Sequence, residues 1–327
     1  MIRPDLDKLP LYALQTECPL GYRPWLRREE LPVVRELQGY LANALVSEFK
    51  PPHYHEVTHV YHANAAIELS YEEDEVAGQR SAQLVLVGPH RTIAERVRPT
   101  KNMTISFRFR ANGFGALTGV SPDDLTERIV PAEDLFGDAA RIAMDAALNA
   151  GTAEEKAARL QHLLAVHPAR RVVDEQSERC LAAVAELGPR ATVAELAREV
   201  GYSSRNLDRL FHNHFGLAPK AFLRLFRYWT ARRLILRRPD LPIGHVAVAA
   251  GFYDEPHLCH EFRAISSITP RALVCVLATD FVSPEEYREY AREVGNRPDL
   301  PWNLDTPNGQ FARTRLRLNA REIEMAA

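Results

Sequence analysis

The stretch Val193-Ala-Glu-Leu-Ala-Arg-Glu-Val-Gly201-Tyr-Ser203-Ser-Arg-Asn-Leu207-Asp-Arg-Leu-Phe211, closed by Gly216-Leu-Ala-Pro219, reads as a helix, a tight turn and a second helix. The same pattern returns about fifty residues later as Ile243-Gly-His-Val-Ala-Val-Ala-Ala-Gly251-Phe-Tyr-Asp254-Glu-Pro-His-Leu258-Cys-His-Glu-Phe262, closed by Ser267-Ile-Thr-Pro270. Val193, Leu196 and Ala197, like Ile243, Val246 and Ala247, recur at helical spacing and form one apolar stripe. Gly201 and Gly251 follow where a chain leaving a helix needs a left-handed residue. Ser203 and Asp254 then supply an oxygen acceptor for the free N–H groups of a new helix. In the first copy Leu207, Leu210 and Phe211 face inward, and Arg205, Asp208, Arg209 and His212 share the opposite face. Pro256, Cys259, His260 and Arg263 occupy the matching outer face of the second copy. Caps, turn glycines and closing prolines all repeat, which a solvated face on an ordinary helical domain does not predict.

On these motifs the segment from about Ser177 to Leu273 resembles the DNA-binding domain of AraC/XylS-family transcription regulators. The resemblance implies two helix-turn-helix units joined by a long helix and set in adjacent major grooves of double-stranded DNA. The joining helix is expected over Lys220 to Arg237, after Pro219 at its first position. Phe222, Phe226 and Trp229 form its packing stripe, and Lys220, Arg224 and Arg227 line another side. At 1.5 Å per residue such a helix is roughly 27 Å long, near the spacing of consecutive grooves. The implied DNA contacts are Ser204, Arg205, Asp208, Arg209, His212, Lys220 and Arg224 from the first copy and its following helix, with Pro256, Cys259, His260 and Arg263 from the second. Ser267 stands where the family usually has glycine, and His260 where many members carry arginine. The first copy is therefore expected to dominate base discrimination, through Arg205 and Arg209.

Charge distribution agrees with that reading. The 327 residues carry a net charge of only −2, which by itself points to no nucleic acid. Between Tyr202 and Arg238, however, Arg205, Arg209, Lys220, Arg224, Arg227, Arg232, Arg233, Arg237 and Arg238 face Asp208 alone. That one-sided balance coincides with the segment that would meet phosphates. Cys18, Cys180, Cys259 and Cys275 are scattered with no metal-ligand spacing. No signal segment or bilayer-length apolar run is present, so a cytoplasmic, nucleoid-associated protein with no membrane partner is expected.

Upstream the texture changes. Leu31 to Phe49 reads as a helix, with Val34, Leu37, Leu41 and Leu45 on one side. Ala66-Ile-Glu-Leu-Ser-Tyr71, Ala82-Gln-Leu-Val-Leu-Val87 and Met103-Thr-Ile-Ser-Phe-Arg-Phe109 read as strands of a small β-barrel over about 55–110. Glu133 to Asn149 and Ala153 to Val166 read as amphipathic helices, and His167-Pro-Ala-Arg-Arg171 as a linker. This half resembles the cupin-like sensor domains, each with a helical dimerisation hairpin, that precede many AraC-type DNA-binding domains. Val87-Gly-Pro-His90, the run Ser106 to Gly119 and Glu133-Asp-Leu-Phe-Gly137 resemble one subgroup of them. The expected fold class is α+β, with an N-terminal cupin-like barrel and helical hairpin followed by an all-α double helix-turn-helix domain. Expected boundaries are residues 1–172 for effector binding and dimerisation, 173–279 for DNA binding and 280–327 for an extension.

His53, His55, His59 and His62 form a local cluster in which the first three share one face of a strand. A solvated or hydrogen-bonded strand entrance is preferred to a metal site, because no carboxylate or downstream histidine is placed to complete one. In the extension, Ser283 could cap a helix over Pro284 to Val294, and Arg313-Thr-Arg-Leu-Arg317 suits a packing strand or a phosphate contact. The expected function is a sequence-specific transcription regulator, non-enzymatic and without cofactor. It would be controlled by a small-molecule or protein effector, would dimerise through Glu133 to Val166, and would contact RNA polymerase if an activator. The alternative is a metal-dependent cupin-type enzyme, or a cysteine alkyl acceptor, fused to a DNA-binding domain. No paired carboxylates, phosphate loop or nucleophile motif supports it.

Overall fold

A computed structural model describes residues 26–49, 56–61, 68–92, 94–99, 102–238, 241–266 and 269–271. His53, His55, His62, the His59 side chain, Cys18, Cys275, Ser267 and the extension with Ser283 and Arg313 to Arg317 lie outside the described residues. The chain divides into two compact units at Phe226 and Arg227.

Among the described residues the first unit holds eight strands: β1 (Leu26–Leu31), β2 (Leu41–Phe49), β3 (Glu56–Tyr61), β4 (Glu68–Val76), β5 (Gln79–Val87), β6 (Ala94–Pro99), β7 (Asn102–Phe109) and β8 (Ile129–Pro131). Six form an antiparallel sheet in the order β1-β2-β7-β4-β5-β8, and β3 pairs with β6. The β4–β5 hairpin turns through Ala77 and Gly78, both at positive φ, as a two-residue connection matched to strand twist requires. Side chains alternate along each strand, so Ala44, Val46, Leu69, Tyr71, Leu84, Leu86, Ile105 and Phe107 all enter one core. The same core takes residues from α1 (Gly113–Thr118), α2 (Glu133–Phe136), α3 (Asp138–Leu148) and α4 (Ala153–Ala165), among them Leu160, Leu163 and Leu164. The first expected helix is split at Gly137, whose φ of 57° with ψ of −145° is open essentially to glycine alone.

The helix expected over Leu31 to Phe49 is not there. β1, a 3-10 turn at Arg35–Leu37 and β2 occupy that stretch instead. Spacing of three and four matched Val34, Leu37, Leu41 and Leu45, yet Ala44, Leu45 and Val46 are all buried. A strand covered on both faces carries a continuous apolar run, which a helical period also fits. Pairing of β2 between β1 and β7 decides the matter, in a register running from Leu41↔Phe109 to Phe49↔Asn102.

One ionic cluster ties the helices to the sheet. Glu73 on β4 accepts hydrogen bonds from the Tyr71 hydroxyl at 2.7 Å and Arg80 Nε at 2.6 Å, and pairs with Lys156 Nζ of α4 at 2.9 Å. Lys156 also donates to the Ala147 carbonyl at 2.8 Å, which caps the end of α3 with a cation. Burial alone would raise the Glu73 pKa, but Arg80, Tyr71 and Lys156 outweigh it and hold the carboxyl below its ordinary value. Burial and the bond to Glu73 raise the Tyr71 pKa.

Candidate nucleic-acid interface

The first helix-turn-helix is built by α6 (Val193–Val200) and α7 (Ser204–Phe215), which follow α5 (Glu175–Leu187). α6 starts in a capping box: Thr192 Oγ1 accepts the Glu195 N–H at 3.2 Å, and Glu195 Oε2 accepts the Thr192 N–H at 2.9 Å. That pairing holds the Glu195 carboxyl below its ordinary pKa. Gly201 turns the chain at φ 73°, and the Ser203 hydroxyl accepts the Asn206 N–H at 3.3 Å to start α7. Leu207, Leu210, Phe211 and Phe215 are buried, with Phe211 edge-on and Phe215 tilted against Phe222. The same helix leaves Ser204, Arg205, Asp208 and Arg209 exposed. Among the described residues neither Arg205 nor Arg209 has an ion-pair partner, so both guanidinium forks are available.

The remaining predicted member of that stripe is differently placed. His212 is partly covered, and its Nδ1 lies 2.8 Å from Asp123 Oδ1 in the N-terminal part of the same unit. Its neighbour His214 faces Asp174 at 3.7 Å. Burial lowers the His214 pKa, and Asp174 offsets part of that shift.

The joining helix α8 (Pro219–Arg237) starts at proline as expected. Phe222, Phe226 and Trp229 are buried, and so are Leu223, Leu225, Tyr228, Ala231 and Ile235. Lys220 is exposed, while Arg224 and Arg227 are half-buried. Arg232, counted in the basic stretch, is buried with its guanidinium 5.1 Å from the Trp229 ring centroid. It packs as a cation over an aromatic face and offers no phosphate contact.

The second unit carries α9 (Ile243–Ala249) and α10 (Glu255–Ser266). Val246, Ala247, Leu258 and Phe262 are buried, and Tyr228 packs on Phe262 with ring centroids 4.7 Å apart. Gly251 turns at φ 79° and Asp254 Oδ1 accepts the His257 N–H at 2.8 Å, as the repeat predicts. Pro256, His260 and Arg263 are exposed and Cys259 is half-buried. Burial pushes the Cys259 thiol above its ordinary pKa. In the first turn Glu255 pairs with Arg271 at 3.1 Å.

Tyr253 was missed by the sequence reading. The N–H groups of Tyr202 and Phe252 donate to Ala197 and Ala247, each at 2.9 Å, and so mark equivalent positions. Between these and the caps Ser203 and Asp254 the second copy has one extra residue, Tyr253, whose exposure is 88%. The signal was present in the sequence as a repeat that shifts from fifty to fifty-one residues across the turn.

A family model described as a helix-turn-helix domain matches residues 196–274. The HTH-type transcriptional regulator GlxA of Rhizobium meliloti is 35% identical over 159 residues, 47% of this chain and 47% of that protein. The HTH-type transcriptional regulator CdhR of Pseudomonas aeruginosa is 34% identical over 82 residues, 25% of this chain and 24% of that protein. The chain thus spans about half or less of the curated relatives it matches. Among solved structures, apo ToxT K231A from Vibrio cholerae aligns at 11% identity and a TM-score of 0.37, covering 72% of this chain and 97% of that one.

Proposed function

We propose, from a C-terminal domain that belongs to the AraC type of helix-turn-helix, that this chain is a sequence-specific DNA-binding transcription regulator. One observation carries the reading: the helix-turn-helix occurs twice, with a capped second helix in each copy, and the first presents Arg205 and Arg209 outward with no ion-pair partner among the described residues. Those guanidinium groups suit the O6 and N7 acceptors of guanine in a major groove. Ser204, Asp208, Pro256, Cys259, His260 and Arg263 complete the two outward faces, and Lys220 and Arg224 suit phosphates. Tyr253, exposed in the turn before α10, adds a ring and a hydroxyl to the weaker second face. In this reading the protein acts at the nucleoid; separately, no described helix is long and apolar enough to cross a membrane.

Residues 1–172 serve effector binding and dimerisation in this reading, and 173–279 serve DNA binding. Support for an effector comes from the second face of the six-stranded sheet. Ser70, Glu72, Thr104, Ser106 and Arg108 lie there, all buried and all polar. Hydrogen bonds offset the cost of burying such groups, as where Gln83 Nε2 donates to Glu72 Oε2 at 2.6 Å, and a polar inner face of this kind suits a polar effector. Among the described residues the alkyl-acceptor alternative finds no such support. Burial raises the Cys259 thiol and pushes Cys180 up to about 11, so neither is a ready thiolate.

Selection of duplexes from a random library by the full chain, followed by footprinting, tests the function. The expected product is a motif protected in two segments about one helical turn, or roughly 34 Å, apart. Failure to enrich any sequence would overturn the regulator reading.

A further inference from the structure

The last position of the outward stripe on α7 is held by the N-terminal part of the chain. A 3-10 turn at Pro122–Leu125, started by Ser121 Oγ accepting the Asp123 N–H at 3.3 Å, sets Asp123 beside His212. Three residues on, the Thr126 hydroxyl donates to the carbonyl of Gly216, at the end of the same helix. Gly216 has two reasons to be glycine there. Its φ is 66°, and a Cβ would stand 2.8 Å from the Pro122 carbonyl and 2.9 Å from Thr126 Oγ1.

This turn is rooted in Val87-Gly-Pro-His90, a motif that the DNA-binding reading leaves unused. Gly88 N–H donates to the Arg128 carbonyl, and Glu127 N–H to the Pro89 carbonyl at 2.8 Å. A side chain at Gly88 would collide with the Leu125 carbonyl. His90 is buried with Nδ1 2.6 Å from the Gly88 carbonyl. Glu127 sits at φ 59°, which a non-glycine residue rarely adopts, and its carboxylate receives both the N–H and Nε of Arg91. The loop is thus held by close backbone contacts to the end of β5, a strand of the sheet with the buried polar face.

We propose that residues 121–127 form an acidic clasp that holds the first recognition helix against the N-terminal domain and opposes DNA binding until it releases. Asp123 occupies a group of the outward stripe, and exposed Asp124 adds a second carboxylate to the same turn, while Glu127 is paired with Arg91. The clasp is weak enough to open, because Asp123 and His212 are both about half exposed and solvent screens such a pair. Its root on β5 gives a change within the sheet a direct route to α7. This inference rests on the DNA-binding reading above.

The test uses the full chain and a duplex enriched from the random library. Asp123→Ala combined with Thr126→Val should raise affinity about three- to tenfold, the scale of one exposed pair and one hydrogen bond. Asp134→Ala removes the same charge from an exposed site at the start of α2 and should leave affinity unchanged. Amides of 121–127 should exchange hydrogen faster when DNA is added to the wild type. Unchanged or lowered affinity in the clasp variant, an equal gain in Asp134→Ala, or slower exchange would each overturn the clasp while leaving the regulator reading intact. If neither wild type nor variant binds any duplex, both readings fall together.

Discussion

The two helix-turn-helix copies obey the same local rules but are supported differently. The first has a capping box with both bonds made at Thr192 and Glu195, no acidic residue in the first turn of α7, and an aromatic trio beneath it. The second begins α9 at Pro242 with no side-chain cap and places Glu255 in the first turn of α10, where its charge is met by Arg271. A helix N-terminus attracts anions, and an acid there opposes them. The difference teaches that a repeated fold need not present a repeated surface. One copy presents a basic outward face and meets Asp123 of the N-terminal part, and the other offers a more neutral face with an extra exposed tyrosine.

The largest effect that would break this comparison concerns base reading. Arg209→Ala should weaken specific binding by about 1–3 kcal/mol and relax preference at one base pair, with His260→Ala costing less. Competition binding on point-substituted sites measures both, and a larger loss at His260 would reverse the ranking of the copies. Next, Gly216→Ala should destabilise the first copy by at least about 1 kcal/mol, because it combines a left-handed backbone with a close approach to Pro122. Faster hydrogen exchange in α7 but not α10 would register it. Thr192→Ala should cost about 1 kcal/mol in the first copy by the same probe, and an equal loss in α10 would argue against separate support.

Two smaller effects sharpen the picture. Tyr253→Ala should weaken DNA binding a few-fold, roughly the scale of one neutral hydrogen bond or ring contact. Tyr253→Phe separates the two, retaining affinity if the ring acts and losing it if the hydroxyl does. His214 gives the first copy a pH dependence. Its folded pKa lies below the ordinary 6.5, so the unfolded chain takes up the proton more readily. That contribution to stability is complete above about 6.5 and is lost as pH falls through the folded value. The protection of α7 amides, corrected for the intrinsic slowing of exchange at lower pH, should therefore fall on acidification, and His214→Gln should flatten the trend.

Much of the candidate interface was legible because it is local. Gly201, Gly251, Ser203 and Asp254 act within a few residues of themselves, and the inward leucines announce their face by spacing. β4, β5 and β7 were legible as β-rich runs, whereas β2 looked helical because burial on both sides removes alternation. Arg232 was counted among surface charges, since nothing in its own segment tells that it packs over Trp229. The Glu73–Lys156 pair, 83 positions apart in sequence, is invisible to any window of pattern.

Sequence by itself determined the duplicated helix-turn-helix, its caps and turns, and which residues face outward, because hydrogen bonds and side-chain period within one turn of chain set them. Only tertiary structure decided that His212 meets Asp123, that Gly216 lies under Pro122 and Thr126, and that the 31–49 stretch pairs in a sheet. Each depends on partners from distant chain, and a local period cannot specify which surface will cover a residue.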